Sequence, residues 1–330
     1  MRNILSKIVI LLLASTWLSN AQAGDYQTDE KLRTFIAEMQ NEHGFAAEPL
    51  NRLFAKVTKQ QSILDAIARP AEKVRQWEDY RPTFVNTRRI AGGQIFWQQN
   101  RQALERAERE YGVPAQIIVA IIGVETSYGG NTGSYRVIDA LATLAFSYPP
   151  REVFFRKELK EFLLMVREQQ LDALSLKGSY AGAMGLPQFM PSSFRAYAVD
   201  FDDDGKIDIW NNSTDAIGSV ANYFKEHGWT RGEPVTLLAT VASEQADRGL
   251  STGLEPDRTP AKLQALGWDA GQILKDDLPV TAFRLQGGQG AEYWLGLPNF
   301  YVITRYNRSA MYAMAVYQLS EVLQNTRSPP

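Results

Sequence analysis

Ile117-Ile118-Val119-Ala120-Ile121-Ile122-Gly123-Val124 runs without a polar side chain into Glu125, and Thr126-Ser127-Tyr128-Gly129-Gly130 follows at once. Pro114 sits where a first-turn proline opens a helix, so the run reads as an apolar helix with a carboxylate at its C-terminal end. Two effects then raise the proton affinity of Glu125. Apolar surroundings disfavour its charged form, and a helix C-terminus presents partial negative charge. A carboxylic acid that keeps its proton near neutral pH is the group needed to protonate the leaving oxygen of a glycosidic bond. Position alone leaves the bland alternative open, a solvated glutamate at a helix end.

Outward from this run the pattern stays helical. Leu32, Phe35, Ile36 and Met39 recur at helical spacing, Leu50, Leu53, Phe54 and Val57 repeat it, and Ile63, Leu64 and Ile67 continue it to a break at Pro70. One helix is expected over Ile95–Tyr111, ended by Gly112. Ala140–Glu168 is helical but interrupted at Tyr148-Pro149-Pro150, and further helices are expected at Asp215–His227 and Ala310–Leu323. Between residues 233 and 305 short apolar runs, Val235–Val241 and Val280–Leu285, alternate with Gly, Asp and Pro clusters and read as strands and turns. The fold class expected is mainly α, an α+β chain with one small β-containing region.

Met1–Ala23 has the shape of a cleaved export signal: Arg2 and Lys7, an apolar run from Ile8 to Leu18, and Ala21-Gln22-Ala23 as the cleavage pattern. The apolar run is short for a bilayer span, so a mature, periplasmic protein starting at Gly24 is expected, with a retained membrane anchor as the alternative. Setting aside Arg2 and Lys7 takes the formal net charge from −2 to −4. That balance gives no basic face for nucleic acid. With no cysteine, thiol catalysis, disulfides and a lipid-bearing cysteine are excluded. The only histidines are His43 and His227, which makes a histidine metal site an unfavoured reading. Gly249-Leu250-Ser251-Thr252-Gly253 matches a nucleophile-elbow string, but the polar Ser243–Arg248 ahead of it is no buried strand, and a loop is expected. Carboxylate chemistry remains.

A second motif stands apart from the first. Asp200, Asp202 and Asp204 take positions 1, 3 and 5 of an EF-hand loop, Gly205 the turn at 6, Lys206 the carbonyl at 7 and Asp208 position 9. Clustered carboxylates repel unless a cation neutralises them, so a structural Ca²⁺ is expected, with a solvated acidic turn as the alternative. Position 12 is Asn211 in place of a bidentate glutamate.

Several blocks together resemble the B-type lytic murein transglycosylases, glycoside hydrolase family 103. They are Val124-Glu125-Thr126, Asp139–Leu144, Gly178–Gly185, Pro187–Ser193 and Arg305-Tyr306-Asn307, in family order between about Trp77 and Gln318. The resemblance implies a lysozyme-like core over residues 113–232 with the EF-hand-like loop 200–215. A helical domain over 24–112, joined by the C-terminal helix 310–323, would flank it, with the small β region at 233–305. It implies Glu125 as sole catalytic acid/base, Ser179 hydrogen-bonded to it, and Gln188 facing the sugar. Tyr80, Tyr223, Tyr306, Asn307 and Tyr312 match positions lining the cleft. Arg151 is a candidate for an acidic stem peptide, and a solvated arginine is the alternative. The family closes its calcium site with a later aspartate, here Asp215, reached through one extra residue.

The implied reaction is cleavage of the MurNAc–GlcNAc β-1,4 bond of peptidoglycan glycan strands to 1,6-anhydroMurNAc products, with Glu125 as acid and then base. A hydrolytic muramidase using Asp139 or a distant acid, and a calcium-stabilised peptidoglycan-binding protein without turnover, are the rivals. A monomer is expected, with cell-wall synthesis or division proteins as its protein partners.

Overall fold

The computed structural model describes residues 25–26, 28–68, 75–242 and 246–326. The expected signal segment Met1–Ala23 and the break at Pro70 lie outside them. The chain divides into two compact units, Met1–Thr58 and Lys59–Pro330.

The first unit holds α1 (Glu30–His43) and α2 (Ala47–Phe54). The Asp29 side chain accepts the Lys31 amide at the start of α1, and Gly44, at φ 66°, ends the helix in the left-handed conformation that a side chain would resist. Leu32, Phe35, Ile36 and Met39, the periodic residues of the sequence, are buried, and Phe35 meets Phe54 edge-on at 6.0 Å.

The second unit is built around α7. It starts with α3 (Gln61–Ala68), α4 (Trp77–Phe84), α5 (Thr87–Gln99), α6 (Arg101–Tyr111) and α7 (Ala115–Thr126). The single helix expected over Ile95–Tyr111 is two, broken at Asn100. Its side-chain amide donates to the Phe96 carbonyl at 2.8 Å, competing with the backbone ladder, and its oxygen accepts from Ser213. From Ile117 to Val124 every residue of α7 is buried. A helix that is apolar all round needs neighbours on every side, and α5, α6, α11 (Ser213–Glu226) and α14 (Ala310–Asn325) supply them. Each buried Ile or Val contributes about 1.5–3 kcal/mol over leaving it exposed, so the run that identified the helix also anchors the unit.

Between α7 and α11 the chain forms β1 (Tyr135–Arg136), α8 (Val137–Ser147), a 3-10 turn at Pro149–Arg151, α9 (Glu152–Glu168), β2 (Lys177–Gly178) and α10 (Pro191–Tyr197). The turn falls at the expected interruption. β1 and β2 pair antiparallel. After α11 come β3 (Thr236–Val241), α12 (Pro260–Gln264), β4 (Trp268–Asp269), β5 (Thr281–Gly287), β6 (Gly290–Gly296), and then α13 (Pro298–Tyr306) and α14. The four strands form an antiparallel sheet in the order β4-β3-β6-β5, over a core that includes Ala239, Leu263, Trp268, Ala282 and Leu295. No helix follows the loop at Gly249–Gly253 directly, since α12 begins only at Pro260. Ser251 instead exchanges hydrogen bonds with the backbone of Ala282 on β5, the Ser251 amide donating at 2.7 Å and its hydroxyl accepting at 2.9 Å. Among the described residues no helix is long and apolar enough to cross a membrane.

Candidate active site

Glu125 stands in the last turn of α7, partly open to solvent while its neighbours on the helix, Val124 and Thr126, are buried. The protein packed around the carboxyl pushes its pKa up to about 7. Two groups work against that rise. Tyr312, near the start of α14, donates its hydroxyl to Glu125 Oε1 at 2.5 Å, and the Arg89 guanidinium favours the ionised form by its charge. At pH near 7 the residue is therefore divided between acid and conjugate base.

Three tyrosines face this carboxyl from three elements: Tyr80 on α4, Tyr306 ending α13 and Tyr312 on α14. Burial holds the phenol of each above its ordinary pKa, and the nearby Glu125 charge adds to that in all three. The phenols thus stay neutral donors over the range in which Glu125 titrates. Tyr306 donates to the Pro187 carbonyl at 2.6 Å and Tyr223 to the Arg305 carbonyl at 2.7 Å. Their rings meet edge-on at 4.8 Å, and Tyr223 stacks on His227 at 4.0 Å. Tyr223 supports Tyr306 from behind, and His227, whose pKa burial lowers, belongs to the same aromatic stack.

The loop from Gly178 to Gln188 closes beside the turn after α7. Thr126 Oγ1 donates to the Leu186 carbonyl at 3.1 Å and accepts the Gly129 amide at 3.0 Å. The hydrogen bond expected from Ser179 to Glu125 is not formed in this structure. Ser179 Oγ accepts the Ala183 amide at 3.0 Å, which leaves its proton free to donate elsewhere. Gln188, at φ 50°, donates to the carbonyls of Gly185 and Thr132 at 2.9 and 3.2 Å. The glycines Gly178, Gly182 and Gly185 are required here by close packing. A Cβ on Gly185, at φ 67°, would fall 2.5 Å from the Ile209 carbonyl oxygen. Asn307 is exposed at the end of α13, and the exposed Arg151 lays its guanidinium over Phe154 at 4.4 Å and Phe155 at 5.0 Å.

Sequence reasoning missed Arg89 and Tyr128. Arg89, in the first turn of α5, donates to the carbonyls of Gly123 and, at 3.4 Å, Val124. Tyr128 donates its hydroxyl to the Arg89 carbonyl at 2.9 Å. Tyr128 and Gly123 both lie in the quoted stretch, but Gly93, the other glycine that admits the ring, and Arg89, which receives its hydroxyl, lie on α5, and only the fold joins them.

The acidic loop gathers as its spacing predicts. Asp200, Asp202 and Asp204 bring carboxylate oxygens within 4.8 Å of one another. Gly205, at φ 87°, makes the turn, and Asp200 accepts the amides of Asp204 and Gly205. Lys206 donates its amide to Asp204. Asn211 turns its side chain to Asp208, whereas Asp215, fully buried on α11, accepts the amides of Phe201 and Asp208, both at 2.8 Å. Burial and the charges of Asp202 and Asp200 raise the Asp215 pKa. An all-oxygen donor set of this kind fits a hard cation such as Ca²⁺.

The family profile described as Transglycosylase SLT domain matches residues 27–321. Membrane-bound lytic murein transglycosylase B of Escherichia coli K12 is 45% identical over 313 residues, covering 92% of this chain and 85% of the relative. The solved structure of the catenated lytic transglycosylase SltB1 from Pseudomonas aeruginosa is 61% identical, with a TM-score of 0.90, over 92% of this chain and all of that one. The Escherichia coli lytic transglycosylase Slt35, solved in complex with calcium, is 44% identical with a TM-score of 0.85, over 92% of this chain and 96% of that one. The mainly helical architecture is that of these lysozyme-like enzymes. On these likenesses the chain belongs to the Transglycosylase SLT domain family and is a peptidoglycan-cleaving lytic murein transglycosylase of the MltB/SltB type.

Proposed function

We propose that the enzyme cleaves the MurNAc–GlcNAc β-1,4 bond without water, with Glu125 as its only acid/base. Glu125 protonates the glycosidic oxygen as the bond to the MurNAc anomeric carbon breaks. The resulting carboxylate then takes the proton of the MurNAc 6-hydroxyl as that oxygen bonds to the same carbon, closing the 1,6-anhydro ring. The observation that carries this reading is a single partly exposed carboxyl with its pKa raised to about 7 and a 2.5 Å donor from Tyr312. A group that must give and regain one proton works best when its pKa lies near the operating pH. One carboxylate suffices because the internal hydroxyl has a very high effective concentration.

The fully buried carboxylates among the described residues are Asp139, Glu158 and Asp215, and each is already engaged. Arg136 grips both oxygens of Asp139 at 2.7 and 3.0 Å, Ser192 binds both oxygens of Glu158, and Asp215 holds the acidic loop. Asp139, the second carboxylate named for a muramidase, is thus held by Arg136 and not free to act on water or on the sugar. Tyr80 and Tyr306 offer ring faces and hydroxyls for sugar, with Gln188, Asn307 and Ser179 at the rim, Tyr223 behind them and Arg151 for an acidic stem peptide. Ca²⁺ bound by Asp200, Asp202, Asp204 and the Lys206 carbonyl would brace the core, with Asp215 holding the loop backbone through the Phe201 and Asp208 amides in place of the closing ligand expected of it, in a periplasmic monomer freed of Met1–Ala23. Mass analysis of products from purified peptidoglycan tests the reaction. Muropeptides one water lighter than hydrolysis products, without a reducing end, are expected, and free reducing ends would replace the reading with hydrolysis.

A further inference from the structure

The carbonyl end of α7 carries the negative pole of the helix, one residue from the carboxyl that must ionise during the reaction. Arg89 meets that pole. Its guanidinium donates to the carbonyls of Gly123 and Val124, the two residues before Glu125. The arginine is itself fixed. Its amide is accepted by Asn86 at the start of α5, and its carbonyl accepts the Tyr128 hydroxyl at 2.9 Å.

Tyr128 is built for this contact. It follows Glu125 by three residues, at φ 62°, a conformation uncommon for a side chain of its size. Its ring fills space that two glycines leave open: a Cβ on Gly93 of α5 or Gly123 of α7 would each fall 2.5 Å from its hydroxyl oxygen. The backbone thus returns from the catalytic turn to lock the arginine that caps it. We propose that Arg89, held by Tyr128, is a positioning residue for Glu125, fixing the turn that aims the carboxyl at Tyr312 and supplying the positive charge that balances its ionised form. This rests on the reading of Glu125 as the acid/base.

Among the described residues the other groups that face Glu125 are phenols: Tyr312 from α14, Tyr306 from α13 and Tyr80 from α4. Burial keeps them neutral near pH 7, so Arg89 is the cation acting on the carboxyl. Its donors point at backbone, and its loss should act on turnover more than on substrate binding.

The test compares Arg89→Gln, which keeps a donor and loses the charge, with Arg89→Lys, which keeps the charge and loses the fork. For Arg89→Gln, kcat should fall at least tenfold with KM within twofold, and the alkaline limb of the pH profile should move up by about one unit. Arg89→Lys should lower kcat with the limb at its wild-type position. The carboxyl resonance of ¹³C-labelled Glu125, titrated in folded enzyme, reads the same shift without turnover. A folded Arg89→Gln enzyme with the wild-type limb and titration overturns the proposal, as does an equal limb shift in both variants. If Arg89→Gln does not fold, Tyr128→Phe decides: a lower kcat at unchanged KM is expected, and unchanged kcat overturns the bracket. Glu125→Gln in the same assay separates the two ideas, because its activity would sink the acid/base reading whatever Arg89 does.

Discussion

Tyr312 Oη lies 2.5 Å from Oε1 of Glu125, across 187 positions of sequence. The contact exists because α14 returns to pack against α7. The hydroxyl donates to the carboxylate, so it stabilises the form of Glu125 that remains after the proton has left. A hydrogen bond to a charged group is worth about 1.5–3 kcal/mol. Tyr312→Phe should therefore lower kcat by roughly ten- to a hundredfold and move the alkaline limb upward. Steady-state kinetics over pH checks both, and wild-type kcat in the variant would remove Tyr312 from the machinery.

The raised pKa of Glu125 has a consequence for stability. The folded protein holds this proton up to about pH 7, whereas the ordinary carboxyl of the unfolded chain releases it near 4.5. Between those values the native state binds more protons, so stability falls as pH rises through this window and levels off above it. Glu125→Gln removes the ionisation. The variant should match wild type below pH 4.5 and exceed it by on the order of 1–3 kcal/mol at pH 8. Melting temperatures measured across pH 4–8 report this. A constant difference across the range would mean that the carboxyl is not perturbed in the folded enzyme.

How far the sequence can be read depends on whether an element announces itself locally. The run Ile117–Val124 needs burial on every side, and its eight consecutive apolar residues say so without any partner being known. The acidic loop is equally local, since its aspartates recur every second residue. α4 is harder, an eight-residue helix that contains Pro82 and buries only Trp77, and no periodicity announces it. Asn100 is silent in the same way, because its breaking of the helix depends on Ser213. The Ser179 bond to Glu125 is implied only by resemblance, and in the structure the Ser179 oxygen accepts the Ala183 amide. Arg89 and Tyr128 form a contact between α5 and the turn after α7, and no local pattern encodes it.

Gly185 joins the loop from Gly178 to Gln188 to the acidic loop. Beside it the Leu186 amide donates to the Ile209 carbonyl at 2.9 Å. A methyl at Gly185 meets that same carbonyl oxygen at 2.5 Å, and φ 67° disfavours it in any case. Gly185→Ala should cost about 2 kcal/mol and lower the melting temperature by several degrees. Thermal unfolding checks this, and a wild-type melting curve would mean that the two loops separate easily.

Calcium should stabilise the protein without entering the reaction. An ion that binds only the folded state adds about 2.7 kcal/mol at a hundred times its Kd. The melting temperature should rise with Ca²⁺, and Asp200→Ala should remove the response. Asp215→Asn separates ion binding from loop bracing. Asp215 already accepts the amides of Phe201 and Asp208, so its replacement should lower the melting temperature even in chelator. The link to the catalytic turn runs from Ile209 to Leu186 and on to Thr126, a path of backbone and hydroxyl hydrogen bonds that holds shape and carries no charge to Glu125. At low temperature, where the core stays folded without the ion, chelation should leave most of kcat intact. Identical melting with chelator and with excess Ca²⁺ would make the loop a solvated acidic turn. Complete loss of activity on chelation, with the protein still folded, would place the ion much closer to the chemistry than this geometry does.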